Sequence, residues 1–223
     1  GIDLEMPGSF GVHDLGVAKA LEEGHISMEQ VNACCKRMLQ LMQKFPCSRS
    51  DEEAAESFPL DWTRQNKVAK EAAIECAVLL KNDNECLPIP NSSSIAIIGE
   101  FGYSHPRFQG MGSSRVNPKQ LSNILEAVRR CCPDVKYAPG YECDDDSTDV
   151  ITNHEMIDDA VDVARGVDLV VLCVGLPEIM ESEGLDRPHL SIPKSHTALI
   201  EAVSNVHSNI VVVLSNGGVV EVP

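Results

Sequence analysis

The clearest fold signal in this sequence is DLVVLCVGLPEIMESEGLDRPHLSIP, residues 168–193. It opens with an apolar run over residues 169–174 that is rich in β-branched side chains and too short to span a membrane. Such a run predicts a strand buried on both faces, as the inner strands of a parallel sheet are. Gly175 ends the run, and an acidic loop follows it. Proteins of the α/β class tend to place functional residues on loops at the carboxyl ends of such strands.

Strand and helix patterns alternate on both sides of this stretch. Further strands are predicted over residues 95–99, 135–138 and 209–218. Helices are predicted over residues 118–128, 155–165 and 194–206, where apolar residues recur at helical spacing. The alternation of buried strands with amphipathic helices predicts an α/β fold with a mostly parallel sheet flanked by helices.

The first part of the chain follows a different pattern. Residues 1–45 predict a short helix over 15–23 and a stronger helix that begins at Ser27, where Gln30 completes a capping box. A segment of this length buries too little surface to form a domain alone, so we expect it to need chain that precedes it. Residues 46–60, PCSRSDEEAAESFPL, are polar and acidic and predict an interdomain linker.

A long helix over residues 61–80 is predicted to follow this linker. Its expected buried stripe consists of Ala69, Ala72, Ala73, Cys76, Leu79 and Leu80. The predicted division of the chain is therefore residues 1–45, a linker over 46–60, and an α/β domain over 61–223. The last predicted strand lies close to Pro223, so we expect that domain to be incomplete at its carboxyl end.

Composition excludes several classes of function. The net charge of −16 argues against nucleic acid and anionic membrane surfaces as partners, because both would repel the chain. The nine cysteines are odd in number and lack C-x-x-C spacing, which favours reduced, structural thiols and weakly favours a reducing compartment. The sequence begins with no secretory signal, and any such signal would lie in the chain that we expect to precede Gly1, so the sequence does not distinguish a cytoplasmic from a secreted protein. The acidic run over residues 144–146 suits a solvated turn better than a metal site.

Two loops carry candidate functional residues. The first is FGYSHPRFQGMGSSRVNP (101–118), where Gly110 and Gly112 allow close backbone approach to a ligand, although a ligand-free glycine turn is the alternative. A dinucleotide site is disfavoured, because G-x-G-x-x-G would have to lead directly into a helix and no third glycine follows. The second is the acidic loop, whose charged residues are Glu178, Glu181, Glu183, Asp186 and Arg187.

A solvated surface is the simplest interpretation of any single carboxylate in the acidic loop. Glycosidic bond cleavage, in contrast, needs one carboxylic acid to protonate the leaving oxygen and a second carboxylate to attack or to activate water. Glu183 lies between Ser182 and Gly184, which would let its side chain reach into a cleft. An ion pair between Asp186 and Arg187 is expected to hold the loop.

Six pieces of the sequence resemble glycoside hydrolase family 3, the β-glucosidase and β-xylosidase group. They are GIDLEMPG (1–8), AVLLKNDNECLPI (77–89), SIAIIGE (94–100), FQGMGSSRVNP (108–118), VGLPEIMESEGLDRPHLSIP (174–193) and NIVVVLSNGGVVEVP (209–223). Their order and spacing match the family along almost the whole chain, so the resemblance is specific.

The resemblance implies a TIM-like barrel domain followed by an α/β sandwich domain, with the active site in the cleft between them. Residues 1–45 would be the last barrel helices, and residues 61–223 most of the sandwich. The family nucleophile is an aspartate in an S-D-W-type motif, which this sequence lacks; its only tryptophan is Trp62. The chain would therefore need the missing barrel domain, and we expect it to be inactive alone.

The resemblance also implies roles for particular residues. Glu183 is the favoured general acid/base and Glu181 the alternative, in a retaining double displacement on β-linked glucosides or related sugars. The residues expected to line the sugar cleft are Gln109, Gly110, Met111, Gly112 and Ser113. Asp186 and Arg187 would support the loop, and neither a metal nor a cofactor is implied. The alternative function is a non-catalytic remnant or split-gene piece that binds carbohydrate or pairs with a barrel domain.

Overall fold

The computed structural model describes residues 2–6, 8–45, 60–83, 85–143 and 152–222. The chain separates into two compact units, Gly1–Val78 and Leu79–Pro223. The linker predicted over residues 46–60 lies outside the described residues except for Leu60, and so does the acidic run over 144–146. The predicted domain limits at residues 45 and 61 stay predictions.

The described residues of the first unit form three helices. They are α1 (Val12–Glu22), α2 (Met28–Lys44) and α3 (Trp62–Glu75). The capping box at the start of α2 is confirmed, since Ser27 Oγ accepts from the Gln30 amide at 3.3 Å and Gln30 Oε1 accepts from the Ser27 amide at 2.8 Å. Arg37 on α2 donates to both carboxylate oxygens of Asp3, each at 2.6 Å, which attaches the segment before α1 to this helix.

The third helix differs from its prediction. It begins after Asp61, whose carboxylate accepts from the Arg64 amide at 3.0 Å, but it ends at Glu75 and does not reach residue 80. All six side chains of the predicted buried stripe are exposed, so this prediction is wrong for the described chain. Apolar periodicity identifies a face that is suited to packing, but it does not identify the surface that covers that face.

In the part of the second unit that the structure describes, four strands form one sheet. Its strands are β1 (Ile95–Ile98), β2 (Lys136–Ala138), β3 (Leu169–Gly175) and β4 (Ile210–Ser215), in the order β2-β1-β3-β4. All three strand pairs are parallel. The helices are α4 (Ile124–Arg129), α5 (His154–Arg165) and α6 (Lys194–Ser204). The prediction of an α/β fold with a parallel sheet flanked by helices is confirmed.

Strand β3 lies at the centre of this unit, between β1 and β4, and all seven of its residues are buried. Helix α5 packs a narrow face inward, in which Ala160 and Ala164 are fully buried. Their small side chains let a helix lie close to its neighbours in the core. Helix α6 contributes Leu199 and Val203 to the same core. The apolar run in the sequence therefore predicts the strand around which the core forms.

Helix α4 begins at Ile124, six positions after its predicted start at Pro118. Asn123 precedes it, and its side-chain oxygen accepts from the Glu126 amide at 2.8 Å. A side-chain N-cap satisfies an amide that has no partner within the helix, so it competes with an earlier start. The preceding residues consequently remain part of a long loop.

The sheet order places a topological switch between β1 and β3. The chain leaves β1 towards β2 on one side and returns as β3 on the other side. Loops that leave neighbouring parallel strands in opposite directions open a crevice at the carboxyl edge of a sheet. Both loops that carry the predicted site residues begin at this edge.

Candidate active site

Three loops meet at the carboxyl edge of the sheet, and Arg107 joins two of them. It lies in the loop after β1, and its side chain is only 7% exposed. Its Nε donates to the carbonyl of Leu176, directly after β3, at 2.7 Å, and its Nη1 donates to the carbonyl of Gln109 at 2.8 Å. Its Nη2 donates to Glu181 Oε2 at 3.0 Å. Arg107 therefore holds the loop after β1 against the loop after β3.

Glu181 attaches the third loop, which follows β4. Its Oε1 accepts from the amide of Gly217 at 2.5 Å and from the amide of Gly218 at 3.2 Å. Both carboxylate oxygens of Glu181 are thus occupied by groups of the protein, and its side chain is 16% exposed. Glu178 approaches the same guanidinium, with Oε1 at 3.3 Å from Arg107 Nη1. This geometry makes Glu181 a bridge between loops.

Glu183 lies two residues further along and is exposed. Its Oε2 accepts from the amide of Ser113 at 2.6 Å and from the Ser113 hydroxyl. Its Oε1 accepts no hydrogen bond from any described residue. The two bonds from Ser113, the side-chain bond first, hold the pKa of Glu183 below its usual value, because they stabilise the carboxylate.

The two glycines predicted to admit a ligand lie against the acidic loop in this structure. Gly112 has φ +113°, and a Cβ there would lie 2.4 Å from the Cβ of Glu183. A Cβ on Gly110 would lie 2.7 Å from the carbonyl oxygen of Glu181. No helix follows them until Ile124, so the glycines do not form the helix start that a dinucleotide fingerprint requires.

The other predicted cleft residues belong to the same pair of loops. Gln109 Oε1 accepts from the amide of Val116 at 2.9 Å, which closes the glycine loop on itself. The carbonyl of Met111 accepts from the amide of Glu183 at 3.1 Å. The structure therefore brings Gln109, Met111 and Ser113 together with the acidic loop. Whether they contact sugar stays a prediction.

Arg187 and Asp186 do not form the expected ion pair, since no salt bridge joins them in the part of the chain that the structure describes. Arg187 Nη2 donates instead to the carbonyl of Val219 at 3.0 Å, and its Nη1 is buried without a hydrogen-bond partner among the described residues. The amide of Glu221 donates to the carbonyl of Leu190 at 2.8 Å in the same region. Arg187 thus connects the acidic loop to the chain after β4. The ion pair with Asp186 does not form because the side chains of neighbouring residues on an irregular loop need not point the same way.

Two depressions flank the bridge between Arg107 and Glu181. One, of about 500 Å³, is lined by Glu181, Arg187 and their neighbours, and the other, of about 360 Å³, lies beside Arg107 and Gln109. Glu183 lines neither depression. The exposed carboxylate of Glu183 lies against Ser113, outside both depressions.

Arg107 is the site residue that the sequence interpretation missed. It stands in HPRFQG without a periodic or motif signal of its own. A basic residue between a strand and a glycine loop, in a chain with 34 acidic residues, is a weak signal that could have singled it out. Its carboxylate partner lies 74 positions away, so only the folded sheet shows the pairing.

A buried aromatic cluster lies beneath the site. The Tyr141 hydroxyl donates to the carbonyl of Cys173 at 2.6 Å, and His196 packs on the Tyr141 ring with centroids 3.9 Å apart. His196 Nδ1 accepts from the amide of Gly175 at 3.2 Å, so the imidazole is neutral with its proton on Nε2. Burial lowers the pKa of His196 to about 4.

We expect His196 to make the protein less stable as the pH falls. Below about 6.5 the unfolded chain binds a proton that the folded chain does not bind until about pH 4, so the free energy of unfolding decreases between these values. This lowering of the His196 pKa corresponds to a decrease of about 3 kcal/mol in the free energy of unfolding across that pH range. Urea unfolding at several pH values should show this slope, and His196→Gln should flatten it. An equal slope in the His196→Gln variant and in the unsubstituted protein would contradict the assignment.

Comparisons with known proteins agree on one family. Residues 77–223 match the family model described as the glycosyl hydrolase family 3 C-terminal domain. The chain is 40% identical to thermostable β-glucosidase B of Acetivibrio thermocellus, over 100% of the chain and 29% of that protein. It is 36% identical to an exo-α-(1→6)-L-arabinopyranosidase of Bifidobacterium longum, with the same two coverages.

A solved structure gives the same result. The family 3 β-glucosidase of Bifidobacterium adolescentis matches with a TM-score of 0.68 and 37% identity, over 99% of this chain and 31% of that protein. The chain thus spans about three tenths of the length of these relatives.

Proposed function

This chain belongs to glycoside hydrolase family 3, and from that membership we propose that it forms part of an enzyme that hydrolyses β-linked glucosides or related glycosides. Its relatives include a β-glucosidase and an arabinopyranosidase. The chain spans 29% of the length of each, and the activity is therefore proposed for a larger protein, to which these residues would contribute one side of the active site.

Glu183 is the general acid/base of this proposal. The observation that supports it is the unequal use of the two glutamates: both oxygens of Glu181 are held by Arg107 and by the amides of Gly217 and Gly218, whereas no described residue donates a hydrogen bond to Glu183 Oε1. A proton donor has to reach the substrate oxygen within hydrogen-bond distance. Glu183 is exposed, and its Oε1 accepts no hydrogen bond from the described chain, so this oxygen can do so.

The reaction proceeds in two displacements. A nucleophilic carboxylate attacks the anomeric carbon while Glu183 gives its proton to the departing oxygen, so that the glycosidic bond breaks and a glycosyl ester forms. Water then enters the position that the alcohol has left. Glu183 then removes a proton from that water as its oxygen attacks the same carbon and the ester bond breaks, which restores both carboxyl groups. In retaining enzymes the two carboxyls lie about 5–5.5 Å apart. The nucleophile comes from outside these residues, since they contain no S-D-W motif.

The hydrogen bonds from Ser113 oppose the first step. They favour the carboxylate of Glu183, whereas a general acid has to be protonated near the working pH. The proposal therefore requires the carboxyl group to leave Ser113 when it approaches the glycosidic oxygen. Burial by substrate and the charge of the nucleophile would then raise its pKa.

We expect Ser113→Ala to move the basic limb of the pH profile of kcat/KM to higher pH. The substitution removes the hydroxyl that stabilises the carboxylate, so Glu183 stays protonated to a higher pH. The profile should be measured on the complete protein with an unactivated glycoside. Ser114→Ala at the adjacent exposed position is the matched control, and an equal shift in both variants would contradict this role.

The alternative function is a non-catalytic chain that binds carbohydrate or pairs with a barrel domain. The absence of an S-D-W motif from the 223 residues favours it only if no such motif occurs elsewhere in the gene product. Sequencing the transcript upstream of Gly1 distinguishes the two functions.

The direct test is hydrolysis by the complete gene product. Nitrophenyl β-D-glucoside, β-D-xyloside and α-L-arabinopyranoside should be compared, and proton NMR of the first sugar released should show retained anomeric configuration. The 223-residue chain alone should be inactive. Inverted product, or no hydrolysis of any of the three glycosides by the complete protein, would overturn the proposed function.

A further inference from the structure

We propose that Arg107 is a positioning residue that places the acid/base Glu183 by holding Glu181, an inference that rests on the function proposed above. Arg107 does not contact Glu183. It acts through the backbone of the acidic loop, which it fixes at the residue two positions before the acid.

The guanidinium of Arg107 is almost fully committed to the protein. With 7% of its side chain exposed, it donates to the carbonyls of Leu176 and Gln109 and to Glu181 Oε2, and it lies 3.3 Å from Glu178 Oε1. The ring of Phe101 lies beneath it, with the centroid 5.8 Å from its Cζ. A buried cation with this set of partners is strongly localised, because any displacement would leave a charge without a partner.

Besides the hydrogen bonds from Ser113 to the Glu183 side chain, two connections near Glu183 hold the acid loop against the glycine loop and the residues that precede it. The first is the ion pair between Arg107 and Glu181, and the second is the hydrogen bond from the Glu183 amide to the Met111 carbonyl at 3.1 Å. Gly110 permits this spacing, since its α-carbon faces the carbonyl of Glu181. Without the ion pair, the position of the acid would depend on that hydrogen bond and on the bonds from Ser113 to the Glu183 side chain, which the carboxyl group has to leave when it acts as an acid.

Glu181 extends this support to the loop after β4. Its second oxygen accepts from the amides of Gly217 and Gly218, so Arg107 and Glu181 together connect the loops that follow β1, β3 and β4. These strands are adjacent in the order β1-β3-β4. The position of the acid is thereby fixed relative to three neighbouring strands of the sheet.

Arginine suits this position better than lysine. Its Nε and Nη1 donate to two backbone carbonyls, while Nη2 donates to a carboxylate in the same plane. The lysine ammonium is a compact point charge on a flexible stem, and it has no donor at the position of Nε. Arg107→Lys should therefore keep the positive charge and lose some of these hydrogen bonds.

Poor placement of the acid has a specific kinetic consequence. An error of about 1 Å in a catalytic group can reduce the rate about 100-fold. Protonation of the leaving group matters most when the departing alcohol is a weak acid, and least when it is a dinitrophenol. Loss of positioning should therefore reduce activity in proportion to the basicity of the leaving group.

The test is performed on the complete protein with methyl β-glucoside and dinitrophenyl β-glucoside. We expect Arg107→Met to lower kcat/KM about 100-fold for the methyl glycoside and less than about 10-fold for the dinitrophenyl glycoside. Arg107→Lys should give an intermediate loss with the same dependence on the leaving group. Arg129→Met is the control, since Arg129 is an exposed arginine at the end of α4 outside the three loops, and it should change both rates little.

The outcomes separate this inference from the function on which it rests. If the unsubstituted protein cleaves neither glycoside, the proposed function fails. If it cleaves both and Glu183→Ala shows a loss that depends on the leaving group, an equal loss with both substrates in the Arg107 variants overturns the positioning role. Should Arg107→Met fail to fold, Arg107→Lys and Glu181→Gln carry the same comparison, with circular dichroism confirming their native structure.

Discussion

Glu183→Ala is expected to lower kcat/KM of the complete protein for methyl β-glucoside by about 10³-fold, within the range that general acid catalysis contributes. For dinitrophenyl β-glucoside the first displacement should be nearly unaffected, because that leaving group departs without a proton. The second displacement should slow for both substrates, since water then has no base. With the dinitrophenyl glycoside, the glycosyl ester should therefore accumulate, giving a burst of released phenol.

Azide provides the sharpest readout of this substitution. Azide attacks the glycosyl ester without giving up a proton, so it should restore turnover in Glu183→Ala and yield a β-glycosyl azide. Glu181→Gln is the matched comparison, because it removes the charge held by Arg107 and keeps the carboxyl group of Glu183. If azide instead rescues Glu181→Gln and has no effect on Glu183→Ala, the assignment of the acid/base to Glu183 is wrong.

Gly175→Ala is expected to destabilise the protein by at least about 4 kcal/mol, a loss of the size reserved for severe core disruption. Gly175 ends β3 with φ +143°, and a Cβ there would lie 2.0 Å from the carbonyl oxygen of Ser215 and 2.8 Å from its amide nitrogen. Those atoms belong to the backbone of β4, so they can move only if β3 and β4 separate. Urea unfolding monitored by circular dichroism measures the change.

Gly184 separates the steric effect from backbone strain in this measurement. It also has positive φ, +82°, but nothing lies within 4 Å of the Cβ position. Gly184→Ala should therefore cost about 1 kcal/mol, the usual penalty of a left-handed conformation for alanine. Equal losses at positions 175 and 184 would show that contact with Ser215 is not the cause.

The parts of the fold that the sequence predicted well depend on local information. Strand β3 is marked by an unbroken apolar run, and the start of α2 is marked by Ser27 and Gln30, three residues apart. Helix α4 was predicted too long, because its start is set by the cap at Asn123 and not by the proline before it. The stripe on α3 was predicted to be buried, although burial depends on what covers the helix.

The sequence alone was enough to assign the α/β class, the resemblance to glycoside hydrolase family 3 and the acidic loop as the region of interest, because strand patterns and motif order are carried by neighbouring residues. It did not distinguish the environments of Glu181 and Glu183, which stand two positions apart in the same motif. The tertiary structure decided that difference. The order β1-β3-β4 brings two distant parts of the chain to the carboxylate of Glu181. They are Arg107, 74 positions before it, and the amides of Gly217 and Gly218, 36 and 37 positions after it. The same order leaves Glu183 beside Ser113 at the exposed edge.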